Sequence, residues 1–421
     1  MRTNAMRTEA DAVPTARAVQ GDLFAPVLQA YMGAEVLSND QLYASLVDTG
    51  HLTRSEVDAK TPVGKAAALH SLAKRRVRWY QVEMKARGII ERVPEQRGKW
   101  RLAAGLLEDA QDAKLTPAAP GVMHIATSTD LGVAIWGSCL DVFGGLEESI
   151  AVCITSPPYP LAKARAYGNV TATEWVDWIC RHLEPIIKRL IPGGSLAVNV
   201  SNDVFEPGMP SRSTYRERFV IAMEDRFGLH KMDEKIWHNN SKAPGPCQWA
   251  SRRRMQLNTA YEPVYVFCND PLKSFASNQR VLQAHSQEHL RLIQGGGEKR
   301  ARTNSDGAYR IRRGAFSKET AGRIPKNVLA FGHTDKEGRR LQALARMLHL
   351  PPHGASMPLA LAIFLVQFLS RPGDLVVDPF GGTLTTAKAC EMLGRLWLAS
   401  EIMAEYVYLG GLRFDGCAVA A

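Results

Sequence analysis

The pentapeptide Thr155-Ser156-Pro157-Pro158-Tyr159 follows directly on the apolar run AVCI (151–154). A buried strand ending in such a turn delivers polar groups to the carboxyl edge of a sheet, where α/β enzymes hold their ligands. The Pro-Pro pair restricts the backbone. It sets the Ser156 hydroxyl and the Pro157 carbonyl as two acceptors facing one space, beside the flat face of Tyr159. Two acceptors next to an aromatic platform suit a planar amine on a heteroaromatic ring. A polyproline ligand or an ordinary strand-ending turn uses the same residues, and this motif alone leaves those readings open.

A second motif, Asp378-Pro379-Phe380-Gly381-Gly382-Thr383-Leu384-Thr385-Thr386, follows the apolar run LVV and opens a helical pattern. Glycines there let a bound cofactor approach the backbone, and the first helical amides offer it polar partners. Glu401 ends the next apolar run, about 20 residues on, where an acid accepts hydrogen bonds from a ribose diol. A dinucleotide fold is the rival reading, but the GxGxxG spacing is absent and there is a single glycine turn of this kind.

The elements needed to carry these motifs are legible around them. GVAIWG (132–137) and SIAVCIT (149–155) read as short buried strands. TATEWVDWICRHLEPIIKRL (171–190) reads as a helix with an apolar face, with Thr171 and Glu174 spaced as a capping box and IPGG (191–194) as its stop. SLAVNV and YEPVYVF are two further strands. After the Gly-interrupted, aperiodic stretch 271–325, strands and helices alternate from MPLALAIFLVQFLS to AEYVYLGGL. The expectation for 125–421 is therefore an α/β, doubly wound Rossmann-like sheet. Upstream, LFAPVLQAYMG (23–33) and SNDQLYASLVDTG (38–50) have helical spacing, with Ser38 and Asn39 as N-cap candidates. GKAAALHSLAKRRVRWYQVEMKAR (64–87) reads as one long amphipathic stretch, and GIIERVPEQRGKWRL (88–102) as strand, turn and strand. Helices followed by a basic hairpin predict a winged helix-turn-helix domain over 22–103, a pattern shared with small helical modules that bind other proteins. Residues 1–21 are expected to be a disordered lead-in and 104–124 an Ala/Pro-rich linker.

The chain has 421 residues, enough for two or three domains of about 150. With 45% hydrophobic and 22% charged residues, wholesale disorder is excluded. The longest apolar stretch, 359–369, is interrupted by Gln367 and too short for a bilayer, and the N-terminus lacks a signal peptide's apolar core. A cytoplasmic location is expected. The seven cysteines stand singly, without the paired spacing of a zinc site, so reduced thiols and no metal are expected. Net charge is +10, and residues 271–330 hold twelve Lys/Arg against four acids, a local +8. KRRVRWYQVEMKAR (74–87) is a second basic block, and two such blocks point to a polyanion partner.

Together the two motifs resemble the exocyclic-amino DNA methyltransferases. TSPPY is similar to that family's catalytic motif, which holds the flipped base, and DPFGG…TT to its S-adenosyl-L-methionine loop. The order, catalytic motif first and cofactor loop last, resembles the permuted beta group, and the resemblance spans about residues 130–412. It implies a catalytic set of Ser156, Pro157, Pro158 and Tyr159. It also implies cofactor contacts from Asp378, Phe380, Gly381, Gly382, Thr383 and Glu401, with Ser356 and Pro358 on the methionine side. Two departures stand out: Leu384 replaces the last glycine of the family's DPFxGSGTT, and Gly137-Ser138 replaces a Gly-Asp, leaving Asp141 as a substitute candidate. Pro246-Cys247-Gln248 resembles the nucleophile tripeptide of cytosine carbon-5 methyltransferases, but the glycine loop follows it by more than a hundred residues instead of preceding it. The nearby SRRR (251–254) suits phosphates or plain solvation.

The resemblance implies methyl transfer from S-adenosyl-L-methionine to N4 of cytosine in double-stranded DNA after base flipping. A Ser hydroxyl, which also donates, fits the ring nitrogen beside that amine. The alternatives are N6 of adenine, an RNA or protein amine, and a non-catalytic DNA-binding regulator on a decayed fold. A target-recognition role for 271–325, a cognate restriction endonuclease and a homodimer complete the expectations, with no membrane association.

Overall fold

Ser38 opens the first regular helix as its side chain requires. Ahead of Asn39–Asp48 (α1), Ser38 Oγ accepts from the Gln41 amide at 3.2 Å, and Gln41 Oε1 accepts from the Ser38 amide at 2.9 Å. The computed structural model describes residues 26–27, 30–31, 34, 36–63, 68–86, 90–94, 96–102, 115–161, 170–333 and 335–414. They divide between two compact units, Met1–Leu106 and Leu107–Cys417. The lead-in expected over 1–21 lies outside the described residues.

In the first unit, Pro26, Val27, Ala30 and Tyr31 are helical. Arg54–Asp58 (α2) and Leu72–Ala86 (α3) follow α1. Leu42 and Leu46 of α1, and Val77, Gln81 and Met84 of α3, are buried at helical spacing. Leu37–Ser38 (β1), Ile90–Arg92 (β4) and Lys99–Leu102 (β5) form a sheet of order β1-β5-β4, so the expected strand, turn and strand are present. The long amphipathic stretch is shorter than its spacing predicts. Thr61–Val63 (β2) and Ala68–His70 (β3) pair as an antiparallel ribbon, and the helix begins only at Leu72. Ser71 marks that start, its Oγ accepting from the Lys74 amide at 3.2 Å.

The second unit is built on nine strands. In chain order they are Met123–Ser128 (β6), Gly132–Gly137 (β7), Ile150–Thr155 (β8), Leu190–Asn199 (β9), His230–His238 (β10), Tyr261–Cys268 (β11), Val328–Ala330 (β14), Leu375–Asp378 (β15) and Leu396–Glu401 (β16). A separate hairpin of Arg302–Asn304 (β12) and Tyr309–Ile311 (β13) lies before β14. The sheet order is β14-β10-β11-β9-β8-β15-β16-β7-β6, mostly parallel, with β6 and β11 antiparallel to their neighbours. Alternation across β8 and β15 sends Cys153 and Val377 to one core and Val152, Ile154 and Val376 to the other, as a sheet covered on both faces requires. Cys139–Gly144 (α4), Trp175–Ile187 (α5) and Tyr215–Phe227 (α6) supply the first core. After Gln287–Gln294 (α7) and Lys336–Met347 (α8), Leu359–Leu369 (α9) and Thr385–Leu393 (α10) supply the second, and Ala404–Gly411 (α11) adds Val407. No helix among the described residues is long and apolar enough to cross a membrane.

Three boundaries differ from those the sequence predicts. IPGG does not stop a helix: α5 ends at Ile187, and 191–194 already lie in β9. Gly193, at φ +89°, serves close approach there, since a Cβ would sit 2.0 Å from the Lys273 carbonyl oxygen. The stretch 271–325 is not featureless, because it holds α7 and the β12–β13 hairpin. Part of the expected linker is integral to the second unit. The Ala118 amide donates to Ile402 O at 2.8 Å, Pro117 bridges to Met403, and β6 starts at Met123.

Candidate active site

Although 223 residues separate them in sequence, Thr155 Oγ1 donates to Asp378 Oδ1 at 2.7 Å, because β8 and β15 are adjacent strands. The two motifs therefore leave the sheet side by side. They open into a cleft of about 660 Å³. Ser138 past β7, Ser156–Tyr159 past β8, Asn199 ending β9, Phe380 past β15 and Glu401 ending β16 all line it. It lies at the carboxyl edge, where a doubly wound sheet binds ligands.

The pentapeptide is tied into a polar network. The Trp175 indole N–H donates to Pro158 O at 2.7 Å, which engages that carbonyl. No hydrogen bond among the described residues ends on the Pro157 carbonyl, and Pro157 lines the cleft. The Ser156 and Tyr159 hydroxyls are 2.8 Å apart. Asn199 Nδ2 donates to Tyr159 Oη at 2.6 Å and to Glu262 Oε2 at 3.2 Å. Tyr159 donates to the same Glu262 oxygen at 3.3 Å, and Lys242 Nζ holds Oε1 at 3.3 Å. Burial, with the Glu262 charge second, lifts the Tyr159 phenol well above its ordinary range, so Tyr159 keeps its proton. Asn199, Glu262 and Lys242 were not identified from sequence. A strand-end Asn, an alternating-strand Glu and a loop Lys carry no signal until β9 and β11 pair.

The glycine loop organises the other half. Asp378 lies beneath the cleft, accepting also from Thr386 Oγ1 (2.7 Å) and the Phe380 amide (3.2 Å), and burial raises its carboxyl. Glu401 accepts from the Gly382 amide at 2.7 Å and the Met403 amide at 2.8 Å, and burial pushes its carboxyl up to about 7. Phe380, Trp178 and His182 form an aromatic cluster on the cleft wall, with Trp178 5.4 Å from Phe380 and 4.2 Å from His182. Burial lowers the His182 pKa, favouring its neutral form. Together the wall offers a flat apolar surface and a carboxylate, which fits an adenine ring and a ribose diol.

Several expected contacts sit one layer back. Gly381, Gly382 and Thr383 do not line the cleft, and Gly382 faces His353, whose Nε2 would lie 3.2 Å from a Cβ placed there. Ser356 and Pro358 line a second, smaller cavity with Thr383; Ser356 Oγ is 3.0 Å from His353 Nδ1, and His353 lines both this cavity and the main cleft. Asp141 is turned away, accepting from the Gly121 amide at 2.9 Å, while Ser138 faces the cleft. Cys247 is exposed and outside the cleft lining. Leu384 has the left-handed backbone (φ +57°, ψ +39°) of a glycine, yet its side chain is buried against Gly410, whose own Cβ would fall 2.6 Å from Leu384 Cγ.

The chain is similar to known proteins. A family model described as DNA methylase matches residues 150–410. Type II methyltransferase M.PvuII of Proteus hauseri is 31% identical over 290 residues, covering 69% of this chain and 85% of that protein. DNA adenine methyltransferase YhdJ of Escherichia coli (strain K12) is 38% identical over 272 residues, covering 64% of this chain and 77% of that protein. Among solved structures, PvuII DNA methyltransferase (cytosine-N4-specific) superposes with a TM-score of 0.55 at 28% identity, covering 69% of this chain and 88% of that one. Fold and cleft thus define a Rossmann-like methyltransferase. The chain belongs to the DNA methylase family, whose members modify the exocyclic amines of DNA bases.

Proposed function

We propose that this protein methylates N4 of cytosine in double-stranded DNA, at a base flipped into the cleft beside Tyr159. The observation that carries the reading is the adjacency of TSPPY and the glycine loop on neighbouring strands, opening into one cleft. S-adenosyl-L-methionine supplies an electrophilic methyl group on a sulfonium centre. Glu401 would accept from the ribose hydroxyls, the Phe380–Trp178–His182 wall would hold the adenine, and Gly382 keeps the loop close to His353. Ser156 and the Pro157 carbonyl accept hydrogen bonds from the N–H groups of the target amine. That localises a lone pair otherwise delocalised into the ring, and the remaining barrier is lowered by positioning. Extracting the base costs a few kcal/mol, partly offset by stacking on Tyr159. The similarity to M.PvuII supports cytosine; the similarity to YhdJ favours N6 of adenine as the second reading. Against the regulator reading stands the packing of Leu384 beside Gly410, outside the cleft lining.

The N-terminal unit is proposed as a winged helix. Helices precede a hairpin, and Arg75 and Arg78 are exposed on α3 with Trp79. Residues 271–325 are proposed to read the target sequence: Lys299, Arg300, Arg302, Arg310, Arg312 and Arg313 are all exposed there. The type II names of the relatives support a cognate endonuclease. Chromatography with and without DNA tests the homodimer.

The decisive experiment incubates the protein with unmethylated plasmid DNA and S-adenosyl-L-methionine, then identifies the modified nucleosides by mass spectrometry. N4-methylcytosine is expected, N6-methyladenine would overturn the base assignment, and no methylation would overturn the activity. Ser156→Ala should lose activity by about 10²-fold or more while keeping cofactor affinity.

A further inference from the structure

The cleft contains a hydroxyl chain whose direction matters, and a residue outside either motif settles that direction. Glu262 Oε2 receives both Tyr159 and Asn199, and Oε1 receives Lys242. A carboxylate only accepts. The Asn199 amide must turn Nδ2 toward it, since Oδ1 in that place would put two acceptors 3.2 Å apart. Asn199 keeps this orientation although its own Oδ1 is then buried without a partner among the described residues. A purely structural amide would be expected to satisfy both ends.

With Nδ2 donating to it at 2.6 Å, the Tyr159 oxygen has one further lone pair and one proton to place. If the proton goes to Glu262, the second lone pair takes the Ser156 proton across 2.8 Å. Every phenolic position is then used. The Ser156 oxygen, which also accepts from Asn199 Nδ2 at 3.4 Å, then turns its remaining lone pair, not hydrogen, toward the cleft. In the opposite direction Glu262 would lose a donor, and the Ser156 proton would meet the N–H of the substrate amine.

We infer that Glu262 is a positioning residue that draws the Tyr159 and Ser156 protons inward, so that Ser156 acts as a pure acceptor for the exocyclic amine. The inference rests on the reading of Ser156 given above. It also withdraws the Ser156 proton from any ring nitrogen of the target base, so a donating hydroxyl no longer argues for cytosine over adenine.

A double-mutant cycle tests it. Single-turnover transfer of tritiated methyl from S-adenosyl-L-methionine to unmethylated plasmid DNA is measured for Glu262→Gln, Tyr159→Phe and the double variant, with cofactor affinity by calorimetry. Each single change should slow the chemical step about ten- to a hundredfold, the worth of a hydrogen bond to a charged group. The double should be no slower than the slower single, and cofactor affinity and KM for DNA should stay unchanged. Multiplicative losses, or wild-type rates for Glu262→Gln, would overturn the inference. Glu262→Asp keeps the charge beside Lys242 but withdraws it from Tyr159, and it repeats the cycle should Glu262→Gln fail to fold. Ser156→Ala run in parallel separates the two claims: near-wild-type activity there removes the reading of Ser156 itself, whereas its loss beside an unaffected Glu262→Gln removes only the role of Glu262.

Discussion

Glu401 is a carboxyl group that burial has moved to about 7, against the pull of two backbone amides. Its ionised form is the one that can accept both hydroxyls of a ribose, so cofactor affinity should fall as pH drops through about 7. The Kd should approach a tenfold rise per unit below it. The linkage to stability has the opposite sense. The folded value lies above the unfolded one, so the protonated group's stabilisation is fully present below about 4.5 and is lost as pH rises through about 7. Calorimetry across pH 5.5–8.5 in buffers of different ionisation heat should detect proton release on binding, and Glu401→Gln should abolish it; a flat profile for the native protein would remove Glu401 from the site. The position of Glu401 was legible, since an acid closing the strand after a glycine turn has a chemical reason to be there. Glu262 was not, because its partner Asn199 lies on another strand, 63 residues away.

At the scale of the element, the loop from Asp378 to Thr386 is the informative one. Gly382 sits at φ +51° with His353 against it, so Gly382→Val meets both a strained backbone and a wall. S-adenosyl-L-methionine binding should fall below calorimetric detection while the sheet remains folded. Leu384 is a different case. Its left-handed backbone costs about 1–2 kcal/mol, but its side chain fills the space beside Gly410. Leu384→Gly relieves the first and empties the second. Since deleting a buried leucine costs about 2–5 kcal/mol, the net effect should be a destabilisation of roughly 1–3 kcal/mol in denaturant unfolding. Cofactor affinity should change little. A stabilised variant would show that strain outweighs packing here.

For the whole molecule, the unit boundary at Leu106–Leu107 decides how a truncation should be made. Removing residues 1–106 spares the Pro117–Met403 bridge and the Thr116 amide that donates to Glu405 at 2.8 Å, which a longer deletion would weaken. That truncation should keep cofactor binding and lower DNA affinity. It should also flatten the salt dependence by about 0.9 in log–log slope for every phosphate the removed unit neutralises. Identical binding isotherms with and without residues 1–106 would assign the unit to a protein partner instead. Charge reversal of Arg312 and Arg313 in the second unit should change which sequences are methylated, read by methylome sequencing, if residues 271–325 select the target.

What the sequence determined by itself was local: apolar runs that must be strands, glycines that must turn, the Ser38 cap, and two motifs whose chemistry follows from residue type and spacing. Burial and backbone propensity act over a few residues and leave their mark in order along the chain. Only the tertiary structure decided that the two motifs share a cleft, since strand adjacency across 223 residues depends on sheet order. It also decided that Ser356 and Pro358 stand behind His353, that Asp141 faces Gly121 and that the Ser156 hydroxyl belongs to a chain ending at Glu262. Each of these turns on which way a side chain points once a neighbouring strand or loop is in place, and no periodicity records that.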